Sequence, residues 1–219
     1  MWKLRTALRC RRVASQKVDY TTWGANTKRI GRAWQMPDDD RAILIPPCSD
    51  MRDEFVAYAR EFRAAGEPYA HGELAEAETD FAAYVERRRD WAAGRNVPDG
   101  LVPWDDFWLV RDGRILARSR LRHRLNDALL TWGGHIGYEV RPSERRKGLG
   151  SRLLAMTLDK ARKRGLSRVL VTCDPDNAGS RRIIEKNGGV FEDERISPKD
   201  GRPRRRYWLN LTGKSERRP

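Results

Sequence analysis

The sequence predicts an α/β (mixed α+β) fold: a central mixed, mostly antiparallel sheet flanked by helices on both faces. Three observations carry that expectation. Asp112-Gly113 joins two β-prone runs, helical stripes flank the strand runs on both sides, and a cation-rich Gly-x-Gly turn links a strand to a helix. With 219 residues, 39% of them hydrophobic, the chain can bury the core of one domain of roughly 150 to 200 residues plus tails.

The elements follow in order. RAILIPP, 41–47, is a short apolar run closed by two prolines, which fits a strand. Ser49 and Asp50 can cap a helix on which Met51, Phe55, Tyr58, Ala59 and Phe62 recur at helical spacing up to Gly66. A second helix carries Leu74, Ala77, Phe81, Tyr84, Val85 and Trp91 on one stripe and stops at Gly94 and Pro98. FWLV and RILARSRLRH flank Asp112-Gly113, which accepts the positive φ angles of a tight hairpin turn. HIGYEV, 135–140, adds a third antiparallel strand, and 149–164 is an amphipathic helix stopped by Gly165. RVLVTC, 168–173, reads as a buried strand, 177–189 as a short helix ended by two glycines, and VFEDE and RRRYWLNL as the last strands. The order is βαα, three antiparallel strands, then βαβαββ across the Gly-x-Gly turn, with 135–140 counted in both runs.

Composition narrows the function classes. No run approaches the ~18 apolar residues of a membrane span, and MWKLRTALRCRR lacks the apolar centre of a secretory signal, so a cytoplasmic protein without a membrane partner is expected. Cys10, Cys48 and Cys173 are odd in number, far apart and without a CxxC pair, which points to neither a disulfide framework nor a metal site. The net charge of +14 is uneven, because residues 1–35 hold nine Lys or Arg against Asp19 alone. That segment reads as a disordered basic extension: a nucleic-acid arm, an organelle transit peptide, or translated sequence upstream of a start at Met36. The last is favoured because orderly patterning begins at MPDDDRAILIPP. Residues 36–212 then form one domain and 213–219 a charged tail. Arg118, Arg120, Arg122 and Arg124 alternate along one strand and read as a solvated basic face, while Trp104, Phe107 and Trp108 read as strand aromatics packing on a helix.

In GGHIGYEVRPSERRKGLGSRLL, 133–154, three cations and two glycines stand where a strand turns into a helix. A helix start leaves backbone N–H groups unpaired and adds about half a positive charge, so it can seat an anion. Gly148 and Gly150 remove Cβ atoms that would keep phosphate oxygens from the backbone. Arg145, Arg146 and Lys147 supply charge-assisted contacts of about 1.5–3 kcal/mol each where desolvated. Leu153 stands where a dinucleotide fingerprint needs its third glycine, and no Walker GxxxxGK followed by Ser or Thr is present.

Arg145-x-x-Gly148-x-Gly150 after a strand, then a second strand, Asn177 and a short helix ending EKNGG, closely resembles the coenzyme A site of the GNAT N-acetyltransferase superfamily. The resemblance spans about residues 40–211, is strongest over 133–192, and is similar to a bacterial branch without an assigned substrate. It implies a GNAT fold and acetyl-CoA as co-substrate. Backbone groups of Tyr138, Glu139 and Val140, on a strand that splays from its neighbour, would pair with the pantetheine arm. Arg146, Lys147, Gly148, Leu149, Gly150 and Ser151 would wrap the pyrophosphate, with Arg145 beside them. Asn177 would hold the pantetheine or a nearby turn, and Ser180 would sit at a phosphate or adenine contact.

Acetyl transfer needs a neutral amine, a stabilised oxyanion and a proton for the leaving thiolate. Where relatives carry a tyrosine acid this chain has Ile184, and where some carry a glutamate base it has Thr172, followed by Cys173. Glu139, His135 and Tyr207 are the remaining base candidates, and alternation places His135 and Glu139 on one face. Glu139 is equally a salt-bridge partner for the Arg122-His123-Arg124 run, and His135 beside two glycines is equally structural. Cys173 is an acceptor thiol or a small buried residue. The expected acceptor is a primary amine, on a small molecule or a protein, attacked directly in a ternary complex of a monomer or homodimer. Two rivals stand beside it: a nucleic-acid-binding protein using the arm 1–35 with the acyl-CoA site as sensor, and a non-catalytic acyl-CoA-binding subunit. The first is disfavoured because helix-turn-helix, RNA-stacking and zinc-finger patterns are missing from the sequence.

Overall fold

The computed structural model describes residues 42–67 and 73–212. The expected basic extension 1–35 and charged tail 213–219 lie outside the described residues. The chain runs through β1 (Ile43–Ile45), α1 (Arg52–Ala64), α2 (Leu74–Thr79), α3 (Phe81–Ala92), β2 (Trp104–Arg111) and β3 (Arg114–Arg122). It continues through β4 (Ile136–Val140), α4 (Leu149–Lys163), β5 (Arg168–Cys173), α5 (Ala178–Lys186), β6 (Val190–Ile196) and β7 (Pro203–Asn210). A π-helical turn, Leu129–Gly133, precedes β4 and a 3-10 turn, Pro142–Glu144, follows it; neither is legible as an element in the sequence. No described helix is long and apolar enough to cross a membrane.

All seven strands form one sheet in the order β1-β2-β3-β4-β5-β7-β6, antiparallel except between β4 and β5. Period-two alternation splits the strand residues between two cores. On one face Trp108, Val110 and Ile115 meet Phe55, Tyr58, Phe62 and Tyr84 of the first three helices. On the other, Phe107, Leu121, Ile136, Val169 and Val171 meet Leu154 and Leu158 of α4 and Ile184 of α5. The strand aromatics are therefore packing residues, with Trp108 1% exposed and its ring 5.3 Å from that of Phe55.

Local chemistry sets the boundaries. Asp112 (φ 48) and Gly113 (φ 75) are both left-handed, the type I′ geometry that matches strand twist. The single helix expected over Leu74–Trp91 is two. Asp80 is extended (φ −145, ψ 92), and its carboxylate accepts the Ala83 N–H at 2.9 Å, capping a new helix start. Thr79 ends the first helix with its hydroxyl bonded back to the Ala75 carbonyl, the competition with backbone pairing that short polar side chains exert.

One junction shapes the site. Parallel β4 and β5 share a single registered pair, Ile136 with Val171. Just before it the His135 N–H donates to the Leu170 carbonyl at 2.7 Å, and His135 Nδ1 accepts the Leu170 N–H at 2.9 Å. One histidine thus answers both polar groups of Leu170. Accepting at Nδ1 fixes the proton on Nε2, and burial, helped by Arg122 and Arg168, pushes the imidazole down to about 4. Gly134 lies in the same clamp at φ 64, where an added Cβ would stand 2.7 Å from the Leu170 carbonyl oxygen. Past Ile136 the strands part and a gap opens toward their carboxyl ends.

Two outcomes follow from the clamp. Gly134→Ala is expected to lose about 1–3 kcal/mol from its left-handed backbone, and more from the overlap, read as a lowered urea midpoint. His135 binds its proton more weakly folded than unfolded, so stability falls as pH drops from about 6.5 toward 4, by about 3 kcal/mol at full protonation of the unfolded chain. Urea titrations across that window are expected to show a smaller loss in His135→Gln, which can still accept the Leu170 N–H.

Candidate active site

The mouth of the gap is built from the turn after β4. Arg146 (φ 61) and Gly148 (φ 79) are both left-handed, and alternation of handedness turns successive N–H groups toward one side, forming an anion-binding concavity. The N–H groups of Arg146, Lys147, Gly148, Leu149 and Gly150 donate to no backbone carbonyl among the described residues, while those of Ser151 and Arg152 donate to the Gly148 carbonyl. The α4 N-terminus adds its positive dipole end. Five donors and a dipole at a concavity form an anion seat.

The side chains behave differently from the sequence expectation. Arg145 grips both Glu67 oxygens at 2.7 Å, and its Nε donates to the Val140 carbonyl. Lys147 Nζ is held by Glu144 at 3.0 Å and by the Ser143 carbonyl. Two of the three cations therefore brace the turn, and all three are exposed. Gly148 has open space around it, and its φ of 79 excludes most side chains. Gly150 lacks that space: an added Cβ would point at Ile183 Cδ1 (2.6 Å) and Val140 Cγ2 (3.4 Å), so this glycine lets α4 pack on α5 and β4. Leu149 is buried core, and Ser151 takes Asn187 Nδ2 on its hydroxyl.

Along β4 the ladder decides which peptides face the gap. The Arg122 N–H reaches the His135 carbonyl and the Arg141 N–H the Leu116 carbonyl, so odd-numbered residues address β3. The peptide groups of Tyr138 and Val140 consequently face the gap, and those of Glu139 do not. This corrects the expectation that the Glu139 backbone lines it. The Val140 carbonyl is taken by Arg145, which leaves the Val140 N–H and both Tyr138 groups. Across the gap, Asn177 caps α5 by accepting the Ser180 N–H at 2.9 Å, and the Ser180 hydroxyl meets the Tyr138 hydroxyl at 2.8 Å. Asn177 therefore holds a backbone turn.

The base candidates separate clearly. His135 sits at the closed end, engaged as a strand clamp. Tyr207 is buried in the α4–α5 core, and Cys173 is a buried free thiol that burial pushes up. The Thr172 hydroxyl donates to the Trp132 carbonyl, and Ile184 is fully buried. Glu139 stands on the face of α1 with a side chain only 12% exposed. Tyr58 Oη (3.1 Å) and Arg118 Nε (3.2 Å) both meet its Oε1, and Oε2 has no partner among the described residues. Burial pushes its carboxyl above the usual range, against the pull of Arg118.

Around Glu139 the expected solvated arginine face is absent. Arg118 is 8% exposed and paired with Glu73 at 3.0 Å as well as Glu139. Arg120 joins Glu73 and Asp106, and Arg122 bonds the Gly133 and Gly134 carbonyls. Arg118 and Arg120 point inward because Glu73, ahead of α2, Asp106 on β2 and Glu139 on β4 offer them carboxylates, while Arg124 is exposed as expected. Tyr58, Glu73 and the inward turn of Arg118 had no local signal, since their partners lie 45 to 81 residues away. Among the described residues no group of three or more His, Cys, Asp or Glu is placed to hold a metal ion.

Comparison with known proteins places this geometry. A sequence profile of the acetyltransferase (GNAT) family matches residues 50–189, which span the turn, the gap and α5. A search of curated proteins finds no match. Among solved structures, Mycobacterium smegmatis RimJ in complex with CoA-disulfide aligns with a TM-score of 0.59 at 20% identity, over 76% of this chain and 80% of that one. The ribosomal-protein-S5-alanine acetyltransferase of Vibrio fischeri aligns with a TM-score of 0.61 at 15% identity, over 82% and 97%. The microcin C7 self-immunity acetyltransferase MccE, in complex with acetyl-CoA and AMP, aligns with a TM-score of 0.59 at 12% identity, over 79% and 94%. At these identities the structures speak for the fold, and the profile for the family: the chain belongs to the acetyltransferase (GNAT) family of enzymes.

Proposed function

We propose that the protein transfers an acetyl group from acetyl-CoA to a primary amine by direct attack in a ternary complex. The observation that carries the reading is the open wedge between β4 and β5, with five N–H groups at its mouth that donate to no backbone carbonyl among the described residues. A chain of amides ending in a thioester fits a wedge lined by the peptide groups of Tyr138 and Val140, pairing as an added strand does. The N–H groups of residues 146–150 hold the diphosphate. MccE and RimJ, with acetyl-CoA and CoA-disulfide in their structures, support the choice of donor, and the ribosomal-protein-S5-alanine acetyltransferase of Vibrio fischeri supports an amine of a protein as one class of acceptor.

The chemistry then uses few groups. The Val140 N–H stabilises negative charge developing on the thioester oxygen. Glu139 Oε2 takes a proton from the acceptor's ammonium, directly or through one water; the neutral amine so formed attacks the thioester carbon, and its nitrogen sheds a second proton to solvent once the C–N bond has formed. The C–S bond breaks, and the thiolate takes its proton from solvent, because Ile184 offers none. Residues 36–212 carry the activity as one cytoplasmic domain.

Thiol release from acetyl-CoA across a panel of amines, with the full chain and with a chain starting at Met36, tests the reading. Gly148→Asp is expected to abolish detectable turnover and saturation by acetyl-CoA, since it adds strain and an anion to the seat; normal turnover there would place the diphosphate elsewhere. Saturable acetyl-CoA binding with no thiol release on any amine would favour a non-catalytic acyl-CoA-binding subunit. Glu139→Gln is expected to lower kcat/KM by about 10²–10⁴-fold and to remove the acid limb of the pH profile. In the wild type that limb lies above the usual carboxylate range, and activity rises with pH as Glu139 loses its proton.

A further inference from the structure

Resting on the assignment of Glu139 as the base, we infer that Tyr58, Arg118 and Glu73 are its positioning residues: a hydroxyl donor and an ion-paired guanidinium meet one carboxylate oxygen, and a buried acid behind them divides the arginine's hold. Tyr58 comes from α1, Arg118 from β3, and Glu73 from the residue before α2, so the base is set from the helical layer and not from the strand that faces the cofactor.

The geometry is specific. Tyr58 Oη donates to Oε1 at 3.1 Å and Arg118 Nε is ion-paired with the same oxygen at 3.2 Å, while Oε2 has no partner among the described residues. Arg118 also gives Nη1 to Glu73 Oε2 at 3.0 Å and lies 5.5 Å from the Phe55 ring centre. Glu73 is better supplied than Glu139: Arg88 and Arg120 reach its Oε1, and the Tyr84 hydroxyl and Arg118 reach Oε2. Those arginines outweigh its burial and hold Glu73 ionised, well below the usual carboxylate range. One guanidinium thus serves two carboxylates, one permanently charged, and the fixed charge of Glu73 opposes ionisation of Glu139.

The charged and titratable groups facing Glu139 are Tyr58 from α1, Arg118 and Arg120 from β3, Glu73 ahead of α2, and Arg145 from the turn after β4. Tyr58 favours the ionised carboxylate by donating to it, and Glu73 disfavours it by charge. Removing each must move Glu139 in opposite directions, which passive packing would not do.

The test is a ¹³C NMR titration of the full chain labelled at glutamate carboxyls, with the Glu139 resonance identified by its loss in Glu139→Gln. Tyr58→Phe is expected to move the Glu139 midpoint to higher pH and Glu73→Gln to lower pH, each by on the order of one pH unit. The acid limb of kcat/KM follows in the same directions, with KM for acetyl-CoA unchanged. Midpoints that stay at the wild-type value in both variants overturn the inference. If Glu73→Gln does not fold, Tyr58→Phe decides alone, since it keeps the ring and loses only the hydroxyl. Undiminished thiol release by Glu139→Gln would overturn the assignment of the base while leaving the titration result standing, so the two failures are distinguishable.

Discussion

The arrangement at the centre of the molecule depends on one constraint: two neighbouring parallel strands that pair at a single position. A sheet normally loses stability when a ladder stops, because exposed strand edges leave peptide groups without partners. Here β4 keeps its antiparallel partner β3, and β5 keeps β7, so each half of the sheet is complete on its outer side. Only the inward peptide groups are left over. The clamp of Gly134 and His135 holds the closed end by satisfying both polar groups of Leu170, just before the one registered pair. What remains is a wedge whose walls are backbone donors and acceptors, a surface that an extended, amide-bearing molecule complements better than water-excluding side chains do.

The second constraint is electrostatic. Arg88, Arg118 and Arg120 lie with Glu73, Asp106 and Glu139 between the helices and the sheet. Removing ions from water is costly, and pairs of this kind contribute little net stability, whereas breaking one by deleting a partner costs about 3–5 kcal/mol. Such a cluster therefore acts more as a template than as a source of stability. Its donors are shared unevenly. Glu73 receives four, while Glu139 receives two on a single oxygen, and that difference separates an acid that stays ionised from one able to exchange a proton.

Most of the framework was legible because local rules agreed with the fold. Asp112-Gly113 could form little but a tight hairpin turn, the α1 and α4 stripes matched one buried face each, and Asn177 capped the helix its position suggested. Several misreadings share a cause: they concerned residues whose partners are distant in sequence. Alternating arginines on β3 look solvated until Glu73 ahead of α2, Asp106 on β2 and Glu139 on β4 take up Arg118 and Arg120. Gly150 looks like a phosphate glycine until α5 supplies Ile183 against it. The break at Asp80 was visible in principle, since an aspartate three residues before Ala83 is a cap signal, but the apolar stripe continued through it and masked the stop.

The cradle shows how these contacts divide the work of binding an anion. Lys147 and Arg145 stand closest to the turn in sequence, yet each is tied to a carboxylate, Glu144 or Glu67, and to a backbone carbonyl. A cation held this way adds little free charge to a passing phosphate. It does fix the backbone, and a left-handed conformation at a non-glycine residue such as Arg146 persists only where its surroundings impose it. Arg145 joins the end of β4 to the end of α1 through Glu67, and Lys147 ties the turn back to Glu144, which is itself buried. The ion pairs therefore preorganise the N–H groups, which with the helix dipole are the recognition elements of the proposed site. Basic residues in a phosphate motif can thus serve as scaffolding for the peptide bonds between them.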